Sequence, residues 1–341
     1  MPDAPEDLDT IDWARLRGLR DGFLDGSAGQ ADYWRSDADL TLYDRFLGER
    51  IGWKWDAVIG ELKQRGWEPP RGIWMDWGCG PGVAIRRMLA AFPERCAGVC
   101  LVDRSTRARD FARMRLSEDF PGLPLRTLDP LSAPEAPPAL LLVSHVLSEI
   151  SPEKEARVWA DAVEAEAVVW VEPGTYAESR RLVAARDSRR AAGWSVVAPC
   201  LHAGTCGLTQ PEGALAWCHH FAKPPKGIGA DAAWGRFARE MGVDLRSLPY
   251  AFLVVARSKH PLPPVAGNAV TARLLGRPQT LRTGLAFTTC EETGIRSREL
   301  PKRAFKQMIK AIEKGRAGPS FRLTEAGGAV TGIKDIFPDK G

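Results

Sequence analysis

No apolar run in the 341-residue sequence approaches the ~20 residues that a membrane-spanning helix needs, so no membrane partner is expected. The first residues, Met1–Asp12, are acidic and contain neither an apolar signal core nor an arginine-rich amphipathic stretch. That argues against secretion and against an organelle transit peptide, and a bacterial cytoplasm is the expected setting. No internal repeat is visible. Cysteine is sparse, with seven residues in the chain. A reducing cytosol makes disulfides unexpected, so thiols that cluster point to a metal or redox role. Cys79, Cys96 and Cys100 fall in or near apolar strands and read as packing residues. Nor is there a strong charge imbalance: the net charge is +4 and the pI about 8.7. The distribution says more. Arg180, Arg181, Arg186, Arg189 and Arg190 form one basic cluster, and Arg296, Arg298, Lys302, Arg303, Lys306 and Lys310 form another. Such clusters either follow a phosphate backbone or solvate helix faces.

What is present is an ordered alternation of elements. Leu16, Leu19, Leu40, Tyr43, Phe46, Leu47, Ile51, Trp55, Val58, Ile59 and Leu62 follow helical spacing, and Pro69–Pro70 closes this N-terminal helical region, residues 1–70. Short apolar strands then alternate with helices. Strands are expected at 73–77, 98–103, 125–128, 139–144 and 167–172, with helices at 83–91, 105–116, 152–164 and 176–192. Unbroken apolar strands between helices predict a parallel, doubly wound sheet buried on both faces. Residues 200–225 break the pattern. Tyr250–Ala256 resumes as a strand that could complete the sheet. Residues 260–300 are turn-rich, with short strands at 281–289, residues 301–314 read as a basic helix, and the last twenty-odd residues form a Gly-rich tail expected to be partly disordered.

The strongest motif runs Ile73-Trp-Met-Asp-Trp-Gly-Cys-Gly-Pro-Gly82. A strand ends at Asp76 and Trp77, and Gly78, Gly80 and Gly82 let the backbone turn tightly and approach a ligand. The spacing is G-x-G-x-G after an acid, and not the dinucleotide G-x-G-x-x-G. It resembles the first motif of class I S-adenosylmethionine methyltransferases. The resemblance implies a Rossmann-like α/β sheet, with the loop under the methionine part of S-adenosylmethionine. Asp103, ending the second strand, would accept the ribose hydroxyls. Asp129 would contact the adenine, and Ser144 and His145, after the fourth strand, would border the transfer site.

Cys200, Cys206 and Cys218 form C-x5-C-x11-C, interleaved with His202, His219 and His220, and Cys290 lies far downstream. Four thiolates can complete a zinc site or hold an iron–sulfur cluster. This spacing matches neither paired C-x2-C zinc ribbons nor ferredoxins. Unligated core cysteines are the plainer alternative. A third reading makes Cys200 the nucleophile of a cytosine-C5 RNA methyltransferase, but it follows the fifth strand where that chemistry would place it after the fourth.

The segments SHVLSEI (144–150), VEPGT (171–175), APCLHAGTC (198–206) and WCHHF (217–221) occur in that order. Together with the glycine loop they resemble the small-ribosomal-subunit methyltransferase-like family, over roughly residues 35–305. Its members are known from mitochondria and occur in bacteria as predicted rRNA methylases. The resemblance implies a 4Fe–4S cluster held by Cys200, Cys206, Cys218 and Cys290, with zinc as the alternative. The interval from Cys206 to Cys218 is longer than the family pattern. It further implies binding to small-subunit rRNA, with ribosomal proteins as further partners, by a chain acting as a monomer. The expected domains are the helical region 1–70, a methyltransferase-like domain 71–258 that contains the Cys-rich metal-binding insertion 198–225, and a small β-rich C-terminal part 259–341 with the basic helix and tail.

Catalysis is less legible. Amino-methylases carry (N/D/S)-P-P-(Y/F) after the fourth strand, and this chain has Ser144-His145-Val146-Leu147 there. Positioning can supply much of the rate of methyl transfer, so no titrating triad is required. His145, Glu149 and Glu172 are the candidate catalytic groups. Three activities remain open: an rRNA methyltransferase, a non-catalytic rRNA-binding assembly factor on the same fold, and a small-molecule methyltransferase with a structural zinc.

Overall fold

The computed structural model describes residues 8–24, 32–263 and 269–337, so residues 1–7 of the acidic N-terminal stretch lie outside it. The chain divides into two compact units. The first comprises Met1–Ile59, Pro69–Glu172 and Phe221–Leu248; the second comprises Gly60–Glu68, Pro173–His220 and Pro249–Gly341. Among the described residues no helix is long and apolar enough to cross a membrane.

The N-terminal helices are α1 (Trp13–Leu24), α2 (Asp37–Tyr43) and α3 (Glu49–Gln64), of which α1, α2 and residues 49–59 of α3 belong to the first unit. Its sheet contains β1 (Gly72–Trp77), β2 (Cys96–Val102), β3 (Leu125–Leu128), β4 (Leu140–Ser144) and β5 (Ala167–Pro173). The five are parallel, in the order β3-β2-β1-β4-β5. Helix α4 (Val83–Ala91) joins β1 to β2, α5 (Thr106–Asp119) joins β2 to β3, and α6 (Pro152–Asp161) joins β4 to β5. Leu140, Leu141, Leu142 and Val143 of β4 are wholly buried, the environment that an all-apolar parallel strand requires. Side-chain caps start the helices: Ser105 accepts from Ala108 N–H at α5, and Ser151, followed by Pro152, accepts from Lys154 N–H at α6. Strand order reverses between β1 and β4, where open α/β sheets leave a crevice beyond the strand ends.

Within the second unit lie α7 (Tyr176–Ala191) and β6 (Ser195–Ala198). Strand β7 (His220–Ala222) follows, and α8 (Ala232–Met241) belongs to the first unit, where Phe237 stacks on Phe46 at 5.3 Å. Strand β8 (Leu248–Ala256), the YAFLVVA run, pairs antiparallel with β6. The C-terminal part forms its own antiparallel sheet of β9 (Ala269–Thr280), β10 (Gly284–Glu291), β11 (Gly294–Pro301), β12 (Ser320–Ala326) and β13 (Ala329–Asp335), with α9 (Lys302–Glu313) between β11 and β12. The tail expected to be partly disordered is corrected over residues 320–335, where β12 and β13 form a hairpin whose turn residues, Gly327 and Gly328, have φ of 59° and 78°; residues 338–341 of that tail lie outside the described residues. The glycines supply a tight turn that a side chain would resist.

Candidate functional site

The glycine loop sits at the carboxyl end of β1. Gly78, Gly80 and Gly82 have φ of 70°, 50° and 79°. Gly78 and Cys79 anchor the loop by donating their N–H groups to Val102 O at 2.7 and 3.0 Å. A Cβ on Gly78 would stand 2.6 Å from Val146 Cγ2, whereas a Cβ on Gly80 would meet nothing within 4 Å. Gly80 therefore leaves open space at the mouth of a cavity of about 500 Å³. Gly78, Gly80, Asp103, Asp129, Ser144, His145 and Glu149 all line it. One wall is aromatic: Tyr33 and Trp34 pack at 4.6 Å, and Trp34 meets Tyr43 edge-on at 5.1 Å.

The acids differ in role. Asp76 is fully buried; its Oδ2 accepts weakly from Ile85 N–H at 3.3 Å and its Oδ1 has no partner among the described residues. Burial, with Asp103 nearby, pushes its carboxyl up to about 7. Asp103 is held in place by two backbone donors, Gly80 N–H at 3.0 Å and Ser105 N–H at 2.8 Å. Burial raises its pKa and those two bonds oppose the rise. Each oxygen keeps a further lone pair for a ligand. Asp129 accepts from Leu131 N–H at 2.9 Å. Burial lifts Glu149 to about 8 although Arg104 stands 3.8 Å away, so at neutral pH it is largely a hydrogen-bond donor.

Glu172 is fully buried and does not line the cavity. Its Oε1 accepts from Val146 N–H, Leu147 N–H and Trp170 Nε1–H at 3.0, 3.2 and 2.6 Å. As a pocket carboxylate it is thus corrected to a support of the loop after β4. That loop holds His145 at φ 55°, the one non-glycine residue with positive φ among the described residues. Lys54 Nζ lies 3.0 Å from His145 Nε2, and Ser144 Oγ lies 3.4 Å from His145 Nδ1 while accepting Trp55 Nε1–H at 2.9 Å. Burial first, then Lys54, drives His145 well below its ordinary range. While Lys54 is protonated, the neutral ring accepts from it at Nε2 and carries its own proton on Nδ1. Lys54 was not legible as a site residue in the sequence; helical periodicity identifies the buried face of α3 and says nothing of which strand end it meets.

Burial, reinforced by Arg50, lowers Lys54 to about 7 from an ordinary 10.5. Below pH 7 the fold must hold a partly buried cation. Between pH 7 and 10.5 the unfolded chain binds a proton that the folded chain does not, so stability gains with rising pH by up to ~1.4 kcal/mol per unit from this group. Urea unfolding of Lys54→Met against wild type from pH 7 to 10 should show that this gain is missing in the variant. Parallel curves would mean that Lys54 is charged in the folded protein.

In the second unit, Cys200, Cys206, Cys218 and Cys290 line one small cavity of about 30 Å³ together with Arg186 and Arg273. Cys218 Sγ is 3.6 Å from His220 Nε2, and Cys290 Sγ is 3.8 Å from His202 Nε2. Burial raises Cys206 to about 11 and also raises Cys218 and Cys290, with Cys200 adding to each. Among the described residues no group of three or more His, Cys, Asp or Glu could hold a metal ion, so a metal site is not shown here. Beside the cavity lies a buried ion network. Arg273 Nη1 and Nη2 donate to Glu61 at 2.6 and 2.9 Å, and Arg65 donates to Glu61 at 2.7 Å. Arg65 also ties down the backbone carbonyls of Val197, Pro199 and Cys200 at 2.8, 2.8 and 3.0 Å.

Several arginines of the two basic clusters neither follow a phosphate backbone nor solvate a helix face, because they are engaged inside the second unit. Arg180 donates to Leu208, Gly213 and Ala214 carbonyls, and Arg186 is buried and donates to His202 O. Arg298 is bound to Glu291 at 2.7 Å and to Glu325. These arginines join elements within the unit.

A family model described as mitochondrial small ribosomal subunit Rsm22 matches residues 56–312. No curated protein matches the sequence. Among solved structures, the chain has a loose likeness to the plantazolicin methyltransferase BpumL in complex with SAH: 10% identity, TM-score 0.42, covering 72% of this chain and 100% of that one. The magnesium protoporphyrin IX methyltransferase ChlM from Synechocystis PCC 6803 with bound SAH gives 14% identity and a TM-score of 0.39, covering 74% and 100%.

Proposed function

Because the chain belongs to the mitochondrial small ribosomal subunit Rsm22 family, we propose that it is an S-adenosylmethionine-dependent methyltransferase-like protein that acts on, or assembles, the small ribosomal subunit. The observation that carries the cofactor assignment is the cavity beside the glycine loop. Gly80 leaves open space beside the cavity, Asp103 lines it and is fixed in orientation by backbone donors, and Asp76, fully buried, does not line it. Bound there, the cofactor would supply an electrophilic sulfonium methyl group. Gly78, Gly80 and Gly82 would carry the backbone past it, Asp103 would accept its ribose hydroxyls and Asp129 would meet its adenine. Ser144, His145 and a protonated Glu149 would position an acceptor and keep water out of a mostly apolar chamber. In this reading residues 71–258 form the methyltransferase-like domain, between the helical region 1–70 and the C-terminal part 259–341, and the chain works as a monomer in a bacterial cytoplasm.

One observation favours the non-catalytic assembly factor: both ring nitrogens of His145 are engaged, by Lys54 and by Ser144, so His145 does not stand as a free base beside the cavity. Incubation with methyl-labelled cofactor and immature small-subunit particles separates the two. Label incorporated into rRNA establishes the enzyme; particle binding without label establishes the assembly factor; neither would contradict the family-based reading.

We read the second-unit thiols as ligands of a 4Fe–4S cluster, with zinc as the alternative. All four line one cavity, and an all-cysteine donor set suits iron–sulfur chemistry. Anaerobic protein is expected to be brown and to contain iron. Cys290→Ala should lose the visible band and most of the iron. An unchanged spectrum would remove Cys290 as a ligand, and a colourless wild type with one zinc would favour the alternative.

A further inference from the structure

The C-terminal sheet has a connectivity of its own. Its strand order is β11-β10-β9-β12-β13, α9 is inserted between β11 and β12, and β11 also lies against β13. Counted from its own first strand, the order is 3-2-1-4-5, with 3 meeting 5 and the helix between 3 and 4. That is the arrangement of a five-stranded OB-type Greek-key barrel. The interior is apolar, with Leu285, Phe287, Leu300, Phe321 and Leu323 buried and Ile309 of α9 packed among them.

Barrels of this type bind oligonucleotides on the face of the second and third strands and with the loop from the first to the second. Here the outer strand face is unsuited. Its cross-strand pairs, Ala286 with Glu299 and Thr288 with Ser297, offer no ring on which a base could stack. Farther along, Gly207 closes on it so tightly that a Cβ would stand 2.8 Å from Gly294 Cα. The loop and helix are different. Gly284 pairs with Pro301, and Lys302 N–H donates to Thr283 O at 2.8 Å, so the loop and the first turn of α9 form one surface. Arg282, Lys302, Arg303 and Lys306 are exposed there, and beyond the kink of α9 at Phe305 the exposed Lys310 follows Lys306 at i+4 spacing. Phe305, Met308 and Ile312 pack the opposite side of α9 against the barrel, which fixes the direction of the cations. Of the nearby acids, Glu313 and Glu299 accept hydrogen bonds from Thr280 and Thr283.

We propose that the C-terminal barrel is a single-stranded RNA-binding module that holds phosphates along Arg282, Lys302, Arg303, Lys306 and Lys310. The identity of that RNA as ribosomal rests on the small-subunit reading above; the surface rests on topology and charge. Phosphate contacts carry affinity and little sequence preference.

The test is fluorescence anisotropy of the full chain with a labelled RNA of about 16 nucleotides, a site size within the range of one OB fold, single-stranded and annealed to its complement. Salt is varied from ~50 to ~200 mM, and small-subunit co-sedimentation is measured beside it. The variant is Lys302→Glu with Arg303→Glu and Lys306→Glu, all exposed positions. Single-strand Kd should rise at least about tenfold, and the salt slope should fall by about 2, at ~0.7 for each phosphate that is no longer neutralised. Melting temperature and cofactor affinity should not change. If the reversal lowers the melting temperature, Lys306→Gln with Lys310→Gln should still cut the slope by about 1.4. Wild-type binding to particles with no change in the variant's Kd or slope overturns this surface and leaves the small-subunit reading intact. Duplex bound as tightly as single strand overturns the single-strand assignment. A wild type that binds neither RNA nor particles overturns both.

Discussion

Gly80→Arg should abolish measurable binding of S-adenosylmethionine, a loss of at least about 100-fold, because the site is built around a missing side chain. Gly80 sits at φ 50° with nothing within 4 Å of where its Cβ would be, and its N–H donates to Asp103 at 3.0 Å. An arginine would extend into the cavity and bring a cation beside Asp103. Gly80→Ala separates bulk from backbone strain. It adds only the cost of a left-handed residue, roughly 1 kcal/mol, and should weaken binding no more than about tenfold. Calorimetric titration of both variants reads the difference. Equal affinity in wild type and Gly80→Arg would remove the loop from the binding site.

Arg273→Met should destabilise the second unit by about 3–5 kcal/mol, the usual cost of leaving one member of a buried ion pair uncompensated. Glu61 is buried, and although burial alone would raise its carboxyl, Arg273 and Arg65 hold it down at about 2. A carboxyl depressed in the folded state stabilises above its ordinary pKa of about 4.5, and that contribution fades as pH falls toward 2. The variant's deficit should therefore shrink in acid. Adding Glu61→Gln should restore part of the loss by removing the stranded charge. Urea unfolding of the variants under anaerobic conditions measures this. A deficit below about 1 kcal/mol at pH 7 would show that Arg65 alone satisfies Glu61.

Much of the first sheet was legible because its chemistry is local. A strand such as Leu140–Ser144 must be apolar along its whole length when both faces are covered, and Thr106–Asp119 announces its start through Ser105. The glycine loop was legible for the same reason: three positive φ values within five residues need glycine whatever surrounds them. Strand β6 was missed because four residues next to a helix end carry too little periodicity. The final hairpin was missed because Gly327–Gly328 reads equally as a turn and as loose chain.

Long-range pairings were the least legible. Lys54 meets His145 across 91 residues and Arg273 meets Glu61 across 212. No local pattern marks either, and both decide which charges are buried. The same holds for the basic clusters. Arg186 and Arg298 look no different in sequence from Lys306, yet the first two close internal ion pairs and the last faces solvent.

The central claim is that this chain holds S-adenosylmethionine in the cavity beside Gly78–Gly82. Calorimetric titration of the wild-type full chain, purified anaerobically, tests it directly. The expected result is one cofactor per chain, displaced by S-adenosylhomocysteine, with a melting temperature that rises as cofactor is added. No heat of binding and no rise in melting temperature at about 1 mM cofactor would contradict it.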